Sequence, residues 1–440
     1  MGSYINEYNN KCADSRIDYI NIGLILISAI VMVQPLGLNF EIPNIFKIFI
    51  IILWYFDCFL RGSHKMSMLS GVIVSCSLII ILEFLYRYFG YSSAGIGNYY
   101  NTIIYYDTII KAYYVMFAYS LKARCILFRM LQIYIMIISV INGIYGSMLE
   151  RLYDEGGLLT VLNEVGSATT PTEFYNMLIF YVAANFYMFL NERKLILKVL
   201  DISAIVSAFF FIFSYHTRAT SLFLMILLSA LIYVNRKTHT YKIKKIFKSI
   251  IVLGLLTIIL MFVFGNIVVE ILPERVAERL QAMIDLFKGE GKGADSDYLA
   301  RFKLNMISIN TWLSTGTSFL FGIGNHLGRD YYGIIGQHAF YIDYLAKYGL
   351  LGIIFISISL KSFIKTSRQF ALAQREHFYF IMFFIVYFSL GFLAKSAFGI
   401  IALGAFLYSL LAFSNVQYIN NLNQPLKIKK MNARAGLPTV

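Results

Sequence analysis

Apolar residues along this chain gather into long continuous runs, unlike the one-sided stripes and strict alternation of soluble helices and strands. About twelve runs approach the ~20 residues that an α-helix needs to cross a bilayer. Their centres lie near Leu26, Ile51, Ile79, Ile110, Ile137, Phe180, Ala208, Ile226, Ile258, Ile354, Ile385 and Phe406. This pattern predicts an all-α polytopic membrane protein of about 12 transmembrane helices.

Lysine and arginine cluster in every second segment that connects these runs. The basic segments contain Arg61, Lys65, Lys122, Arg124, Arg129, Arg193, Lys194, Lys198, Arg236, Lys237, Lys242, Lys244, Lys245, Lys248, Lys361, Lys365, Arg368, Arg375, Lys427, Lys429, Lys430 and Arg434. The segment at 150–173 is acidic instead. Because cytoplasmic loops are enriched in lysine and arginine, the alternation predicts that both termini lie in the cytoplasm.

Composition excludes a soluble domain. The chain is 58% hydrophobic and 14% charged, whereas soluble domains carry about 25% charged residues. Its formal net charge of +14 is explained by the basic cytoplasmic segments, so no nucleic-acid partner is expected. The four cysteines, Cys12, Cys58, Cys76 and Cys125, have no CxxC spacing. We expect them to be free thiols.

The lengths of the connecting segments divide the chain into four parts. Transmembrane helices 1–9 occupy residues 1–268, helices 10–12 occupy 338–415, and a cytoplasmic tail follows at 416–440. Residues 269–337 form a long segment on the outer side, with amphipathic helices predicted at 273–288 and 295–312. A loop of this length is more often functional than a simple connection.

Several ionisable residues fall inside or at the ends of the predicted membrane helices. They are Glu83, Asp107, Lys111 and Lys395. Charged groups in hydrocarbon are costly, so they are paired or functional. Asp107 and Lys111 are four residues apart, and we expect them to pair on one helix face. Lys395 lies near an outer end, where it is available to an anionic ligand.

Three basic residues are predicted on the outer side. Arg218 lies in the short turn between spans seven and eight, Arg301 lies in the long outer segment, and His338 lies at the mouth of span ten. Each also has a simpler explanation. An arginine at a span end reaches lipid phosphate, a helix arginine is solvated, and a histidine fills polar interfaces.

The spacing around these residues resembles one known family. Arg218 and Leu222 form an R-x3-L pattern, and His338 and Gly349 form an H-x10-G pattern. Between them come Arg301 and the Phe-Gly-Ile-Gly stretch at 321–324. Gly349 and Gly352 are three apart, a spacing that lets another helix approach closely. Together these features resemble the O-antigen polymerase and ligase superfamily over residues 211–364.

The sequence departs from this family at one motif and lacks the motifs of other enzymes. Counting an R-x10-G pattern from Arg151 or Arg301 reaches Leu162 or Trp312 instead of glycine. No Walker A or HExxH sequence is present, and the Asp-Ser-Asp at 295–297 has only the short DxD spelling. We therefore expect neither a metal nor another cofactor.

The resemblance implies a GT-C-like fold in the bacterial inner membrane, with residues 269–337 as a periplasmic loop. It implies a metal-independent glycosyltransferase whose donor is an oligosaccharide linked to undecaprenyl pyrophosphate. Arg218, Arg301 and Lys395 would bind the pyrophosphate, because cationic side chains stabilise its developing charge. His338 would act as general base, or donate a hydrogen bond to phosphate. Expected partners are membrane lipid and a chain-length regulator protein.

Four functions remain open at the level of sequence. A polymerase of repeat units is favoured, because a composition rich in Ile, Asn, Lys, Tyr and Phe is associated with polysaccharide gene clusters. A ligase that transfers polymer to lipid A–core would use the same motifs, and glycan transfer to protein is a third variant. A transporter or flippase for lipid-linked sugars would also have many spans and intramembrane charges.

Overall fold

The computed structural model describes residues 19–32, 49, 52–53, 56, 70–89, 115, 121–154, 171–214, 219–235, 252, 281, 294–324, 335, 339–370, 374–393 and 403–416. Within these ranges the chain is all-helical and contains no strand. The helices are α1 Tyr19–Met32, α2 Ser70–Tyr88, α3 Leu121–Asp154, α4 Pro171–Asn191, α5 Leu195–Ser214, α6 Ala219–Asn235, α7 Ala294–Leu313, α8 Gly316–Phe321, α9 Phe340–Phe370, α10 Gln374–Leu393 and α11 at 403–416, whose first part, Leu403–Tyr408, is π-helical.

Among the residues that the structure describes, three helices are long and apolar enough to cross a membrane. They cover Lys122–Tyr145, Leu195–Ser214 and Phe340–Ile358, and shorter apolar helices cover Leu224–Val234 and Met382–Gly391. The predicted run centres at Leu26, Ile79, Ile137, Phe180, Ala208, Ile226, Ile354, Ile385 and Phe406 all lie within helices. The centres near Ile51, Ile110 and Ile258 and the predicted helix at 273–288 lie outside the described residues.

Large apolar side chains cover the outer faces of these helices. On α3, Ile133, Ile137 and Ile144 are 42%, 49% and 46% exposed, and Val206 on α5 is 59% exposed. Apolar surface on this scale is unfavourable in water and is favourable against lipid chains. The exposed faces therefore agree with the apolar composition in making this a helical membrane protein.

Helix α4 is enclosed by other helices along most of its length. Every residue from 174 to 185 is buried, including the small residues Ala183 and Ala184. The helix packs against α5, α6 and α11, and its aromatic side chains meet those of α10. The ring centroids of Phe180 and Phe383 are 5.9 Å apart, and those of Tyr187 and Tyr379 are 4.8 Å apart.

A buried charged network joins α3, α4 and α5. Arg129 on α3 donates one hydrogen bond to Asp201 on α5 and one, at 3.3 Å, to Glu192 just after α4. The side chains of Asp201 and Glu192 are 0% and 4% exposed. Glu192 also accepts from the backbone amides of Arg193 and Lys194, at 2.8 and 3.2 Å, just before α5 begins.

Neutral polar groups extend this network across the bundle. Gln132 donates to Asp201 at 2.8 Å and to Asn185 at 2.7 Å, and Tyr408 of α11 donates to the same Asn185 oxygen at 3.0 Å. Tyr181 donates to the backbone carbonyl of Gln132 at 2.8 Å. One connected set of hydrogen bonds therefore fixes four helices relative to one another.

The structure corrects the predicted location of Arg129. The sequence pattern placed it in a basic connecting segment, but it lies inside α3, and its side chain is 17% exposed. A charge at this position is tolerated because two carboxylates and Gln132 surround it. Asp201, its closest partner, is also an intramembrane charge that the sequence pattern did not mark.

Substituting one charged member of this network should destabilise the protein more than substituting two oppositely charged members together. We expect Arg129→Ala to lower the free energy of unfolding by about 3–5 kcal/mol, because two carboxylates lose their shared cation. The double variant Arg129→Gln/Asp201→Asn, which replaces both charges by neutral amides, should lose less stability. The control Val206→Ala, on an exposed apolar face, should change the stability little. The unfolding temperature of the purified protein in detergent tests this. A double variant less stable than Arg129→Ala would contradict it.

Candidate functional site

Helix α9 is broken at Gly349. This residue has φ 61° and ψ −159°, which no helical residue adopts, so residues 340–348 and 350–370 form separate helical halves. A helix end leaves backbone carbonyls without intrahelical partners, which is costly inside a membrane. Here the amides of Ile323 and Gly324 donate to the carbonyls of Ala346 and Lys347, at 3.0 and 2.9 Å. The 321–324 stretch thus caps the first half of α9.

Glycine is required on both sides of this contact. Gly322 ends α8 with φ 76°, and its amide donates to the Ser318 carbonyl at 2.8 Å. A Cβ atom at Gly322 would lie 2.3 Å from the Lys347 carbonyl, and one at Gly349 would lie 2.5 Å from the Leu320 carbonyl. Only residues without a side chain allow the two backbones to approach this closely.

The sequence prediction for the glycine pair is confirmed at one position only. At Gly349 the backbone of another helix, α8, does approach closely. At Gly352 the nearest groups are the Tyr344 ring and the Tyr348 Cβ, both from α9 itself. Gly352 therefore makes room for aromatic rings across the break instead of for a neighbouring helix.

A compact corner connects α7 to this glycine contact. Thr315 caps α8, because its side chain accepts from the Ser318 amide while the Ser318 hydroxyl accepts from the Thr315 amide. Trp312 at the end of α7 donates to the Phe319 carbonyl at 2.9 Å, and the two rings stack at 5.0 Å. The corner transmits the position of α7 to the break in α9.

The first half of α9 is also held directly by α7. Ser308 on α7 donates a hydrogen bond of 2.7 Å to Asp343, and both side chains are buried. Further along, Ile335 packs against Ala346 and Ile323 in a small second core. Both Ile335 and Ala339, the described residues before α9, are buried.

Helix α2 supplies an acidic group beside the break. Glu83, which the sequence marked as an intramembrane charge, is 6% exposed and accepts a hydrogen bond from Tyr348. Ser75 on the same helix donates to the Phe355 carbonyl at 2.6 Å. Helix α2 therefore contacts α9 on both sides of Gly349, and the hydrogen bond from Tyr348 stabilises buried Glu83.

Aromatic side chains line the first half of α9. The centroids of Phe340 and Tyr344 are 5.4 Å apart, and those of Tyr344 and Tyr348 are 4.4 Å apart. Tyr341, on another side, meets Phe388 of α10 at 4.9 Å and packs tightly against Gly391. These rings give the short half-helix a rigid setting on several sides.

Of the predicted site residues, the structure describes only the backbone of Arg301. Arg301 lies on α7, two turns or about 10 Å before Ser308, but its side chain is outside the described residues. His338 also lies outside them, immediately before Ala339, whose carbonyl accepts from the Asp343 amide at 2.9 Å. The structure thus brings the Arg301 helix to the start of α9.

Arg218 and Lys395 lie outside the described residues, but the helices next to them are fixed. Arg218 immediately precedes α6, where buried Ser221 donates to Asn176 of α4 at 3.1 Å. Lys395 follows the end of α10 at Leu393. Helices α6 and α10 pack against each other. The structure does not describe how these two cations sit relative to α7 and α9.

Two residues of the site belong to no motif in the sequence. Ser308 and Asp343 are 35 residues apart, and neither was singled out. The only signal was Asp343 itself, an acid near the start of an apolar helix. No protein-family model matches this sequence, and no curated protein matches it. The functional assignment therefore depends on the sequence motifs and on the placement of the helices that carry them.

Replacing the glycines at the break should destabilise the protein. We expect Gly349→Ala and Gly322→Ala each to cost at least about 2 kcal/mol, because the new Cβ meets a backbone carbonyl at a positive φ. Gly316→Ala is the matched control, since no atom lies within 4 Å of its Cβ position. Unfolding temperatures in detergent provide the measurement. Equal stability of all three variants would disprove the glycine contact.

Proposed function

We propose that this protein polymerises oligosaccharide repeat units carried on undecaprenyl pyrophosphate, at the periplasmic face of the bacterial inner membrane. It would be a metal-independent, GT-C-like glycosyltransferase with about 12 spans and cytoplasmic termini. The observation that carries the proposal is the backbone contact between Gly322 and Gly349. These glycines belong to separate motifs of the resemblance, and their contact joins the Arg301 helix to the helix that follows His338.

The proposed reaction is a single displacement at the anomeric carbon of the donor sugar. A hydroxyl of the acceptor glycan attacks this carbon, and its proton passes to His338 as general base. The bond between the anomeric carbon and the pyrophosphate oxygen breaks, and its electron pair remains on undecaprenyl pyrophosphate. Attack from the face opposite the leaving group inverts the configuration of the sugar.

The cationic residues would stabilise the leaving group. Charge grows on the pyrophosphate as the bond breaks, and guanidinium groups bind such oxygens through paired hydrogen bonds. Arg218, Arg301 and Lys395 are assigned this role. Because these cationic side chains neutralise the leaving group, the proposed reaction needs no metal ion. The substrates are lipid-linked, so membrane lipid surrounds the site, and a chain-length regulator protein is the expected protein partner.

A flippase for lipid-linked sugars is the second candidate function. Broken membrane helices and buried ionisable groups are typical of transporters, and the break at Gly349 and the Arg129 network are features of this kind. The polymerase is preferred because a flippase has no need of the Arg301 and His338 pattern. A ligase or a transferase to protein would share that pattern, so the product decides among them.

The first test is a surface-polysaccharide gel of a strain that lacks the gene. We expect lipid A–core to carry a single repeat unit, and we expect Arg218→Ala, Arg301→Ala and His338→Ala to reduce polymer at least about 100-fold. Arg87→Ala is the control, because this arginine is exposed at the end of α2. Membrane abundance of each variant is measured in parallel.

Other gel patterns would assign other functions. Bare core with long polymer left on undecaprenol would identify a ligase, and loss of the glycan from a protein would identify transfer to protein. Repeat units trapped on the cytoplasmic side of the membrane would identify a flippase. Normal polymer in all three substituted strains would disprove the assignment of Arg218, Arg301 and His338 to the site.

A further inference from the structure

We propose that Ser308 and Asp343 are positioning residues, whose hydrogen bond sets the Arg301 helix against the start of the helix that follows His338. The inference rests on the function proposed above. It adds to that site two residues that no motif of the resemblance includes.

The bond has the properties of a fixed structural link. The Ser308 side chain belongs to a fully buried residue, Asp343 is 6% exposed, and the distance from Oγ to Oδ1 is 2.7 Å. Hydrogen bonds between a hydroxyl and a carboxylate are short and strong, and a low local dielectric strengthens them further. Because both side chains are buried, water does not compete for the bond, and it holds α7 firmly at this point.

The link acts close to both predicted site residues. Seven residues separate Arg301 from Ser308, which is two helical turns, so both positions belong to nearly the same face of α7. Asp343 lies in the first turn of α9, because its amide donates to the carbonyl of Ala339. Residue 338 immediately precedes Ala339 in the sequence. A shift of Ser308 relative to Asp343 therefore moves the Arg301 helix relative to the start of α9.

The glycine contact alone would not fix α7. The corner at Trp312 and the 321–324 stretch attach the C-terminal end of α7 to α9, and a helix attached at one end can pivot. The Ser308–Asp343 bond is a second attachment about one turn further back. Two attachments define the direction of α7, and hence the place of Arg301 two turns beyond.

Amide substitution separates a positional role of Asp343 from a chemical one. Asparagine keeps the Oδ1 acceptor and removes the charge. If Asp343 only positions α7, Asp343→Asn retains the bond from Ser308 and most of the activity. If Asp343 transfers a proton or repels a ligand by its charge, Asp343→Asn behaves like Asp343→Ala.

The experiment uses the full chain in lipid nanodiscs. Its substrate is the lipid-linked oligosaccharide extracted from the strain that lacks the gene. We expect Ser308→Ala and Asp343→Ala each to lower kcat about 100-fold with little change in KM, because a misplacement of about 1 Å has an effect of this size. The double variant should lose no more activity than the less active single variant, because both substitutions remove the same hydrogen bond.

Two controls complete the design. Ser389→Ala removes an exposed hydroxyl that donates only within its own helix, to the Ile385 carbonyl at 2.8 Å, and should keep full activity. Asp343→Asn should stay within about tenfold of the unsubstituted protein, because the amide keeps the acceptor atom but accepts a weaker hydrogen bond than the carboxylate does. Unfolding temperatures identify any variant that fails to fold, and Ser308→Ala then carries the test.

Each remaining outcome has a definite meaning. Full activity of Ser308→Ala and Asp343→Ala, with Arg301→Ala inactive, overturns the positioning role and leaves the proposed function intact. Loss of activity in Asp343→Asn equal to that in Asp343→Ala also overturns it. Full activity of Arg301→Ala and His338→Ala overturns both proposals, because no site is then left to position.

Discussion

A helix in hydrocarbon must satisfy its backbone hydrogen bonds within the protein, and α9 interrupts its own ladder at Gly349. The arrangement of the neighbouring helices follows from this interruption. The amides of Ile323 and Gly324 reach the freed carbonyls, which requires glycine at 322 and a tight corner after α7. The cost of breaking a membrane helix is thus offset by a second chain segment, and that segment fixes α7 beside α9.

The other part of the bundle is organised by charge. Arg129 lies between two carboxylates and also donates to the side-chain oxygen of Gln132, which in turn donates to Asn185. Such a cluster stabilises little compared with apolar packing, but it strongly disfavours any arrangement in which one charge loses its partners. The network therefore selects one packing of α3, α4, α5 and α11. The glycine contact does the same for α8 and α9 by backbone geometry.

The sequence predicted the positions of the described helices well, because a membrane helix needs a long apolar run and such runs are easily recognised. It predicted the helix at 295–312, which the structure places at Ala294–Leu313. It did not predict the break in α9, because the residues on both sides of Gly349 are apolar and the helical pattern continues through it. The H-x10-G spacing and the three-residue spacing to Gly352 both mark that glycine, but neither indicates a break in the helix.

The polar contacts of the fold and of the site were harder to predict than the helices, since these contacts join distant parts of the chain. Arg129 and Asp201 are 72 residues apart, and Tyr348 and Glu83 are 265 apart. A single sequence carries no signal for such pairs. Arg129 was also assigned to a loop because apolar runs have indistinct ends, and an arginine near an end is equally compatible with lipid phosphate and with a buried carboxylate.

The enclosure of α4 determines how this sequence can change over evolutionary time. A lipid-facing position such as Val206 accepts almost any apolar residue, so the outer faces of α3 and α5 diverge without consequence. Residues 174–185 have protein on every side, and each change in volume there must be matched by a change in a neighbouring helix. Distant relatives would therefore retain the small and aromatic pattern of α4, together with the glycines of the α8–α9 contact, long after the rest had drifted.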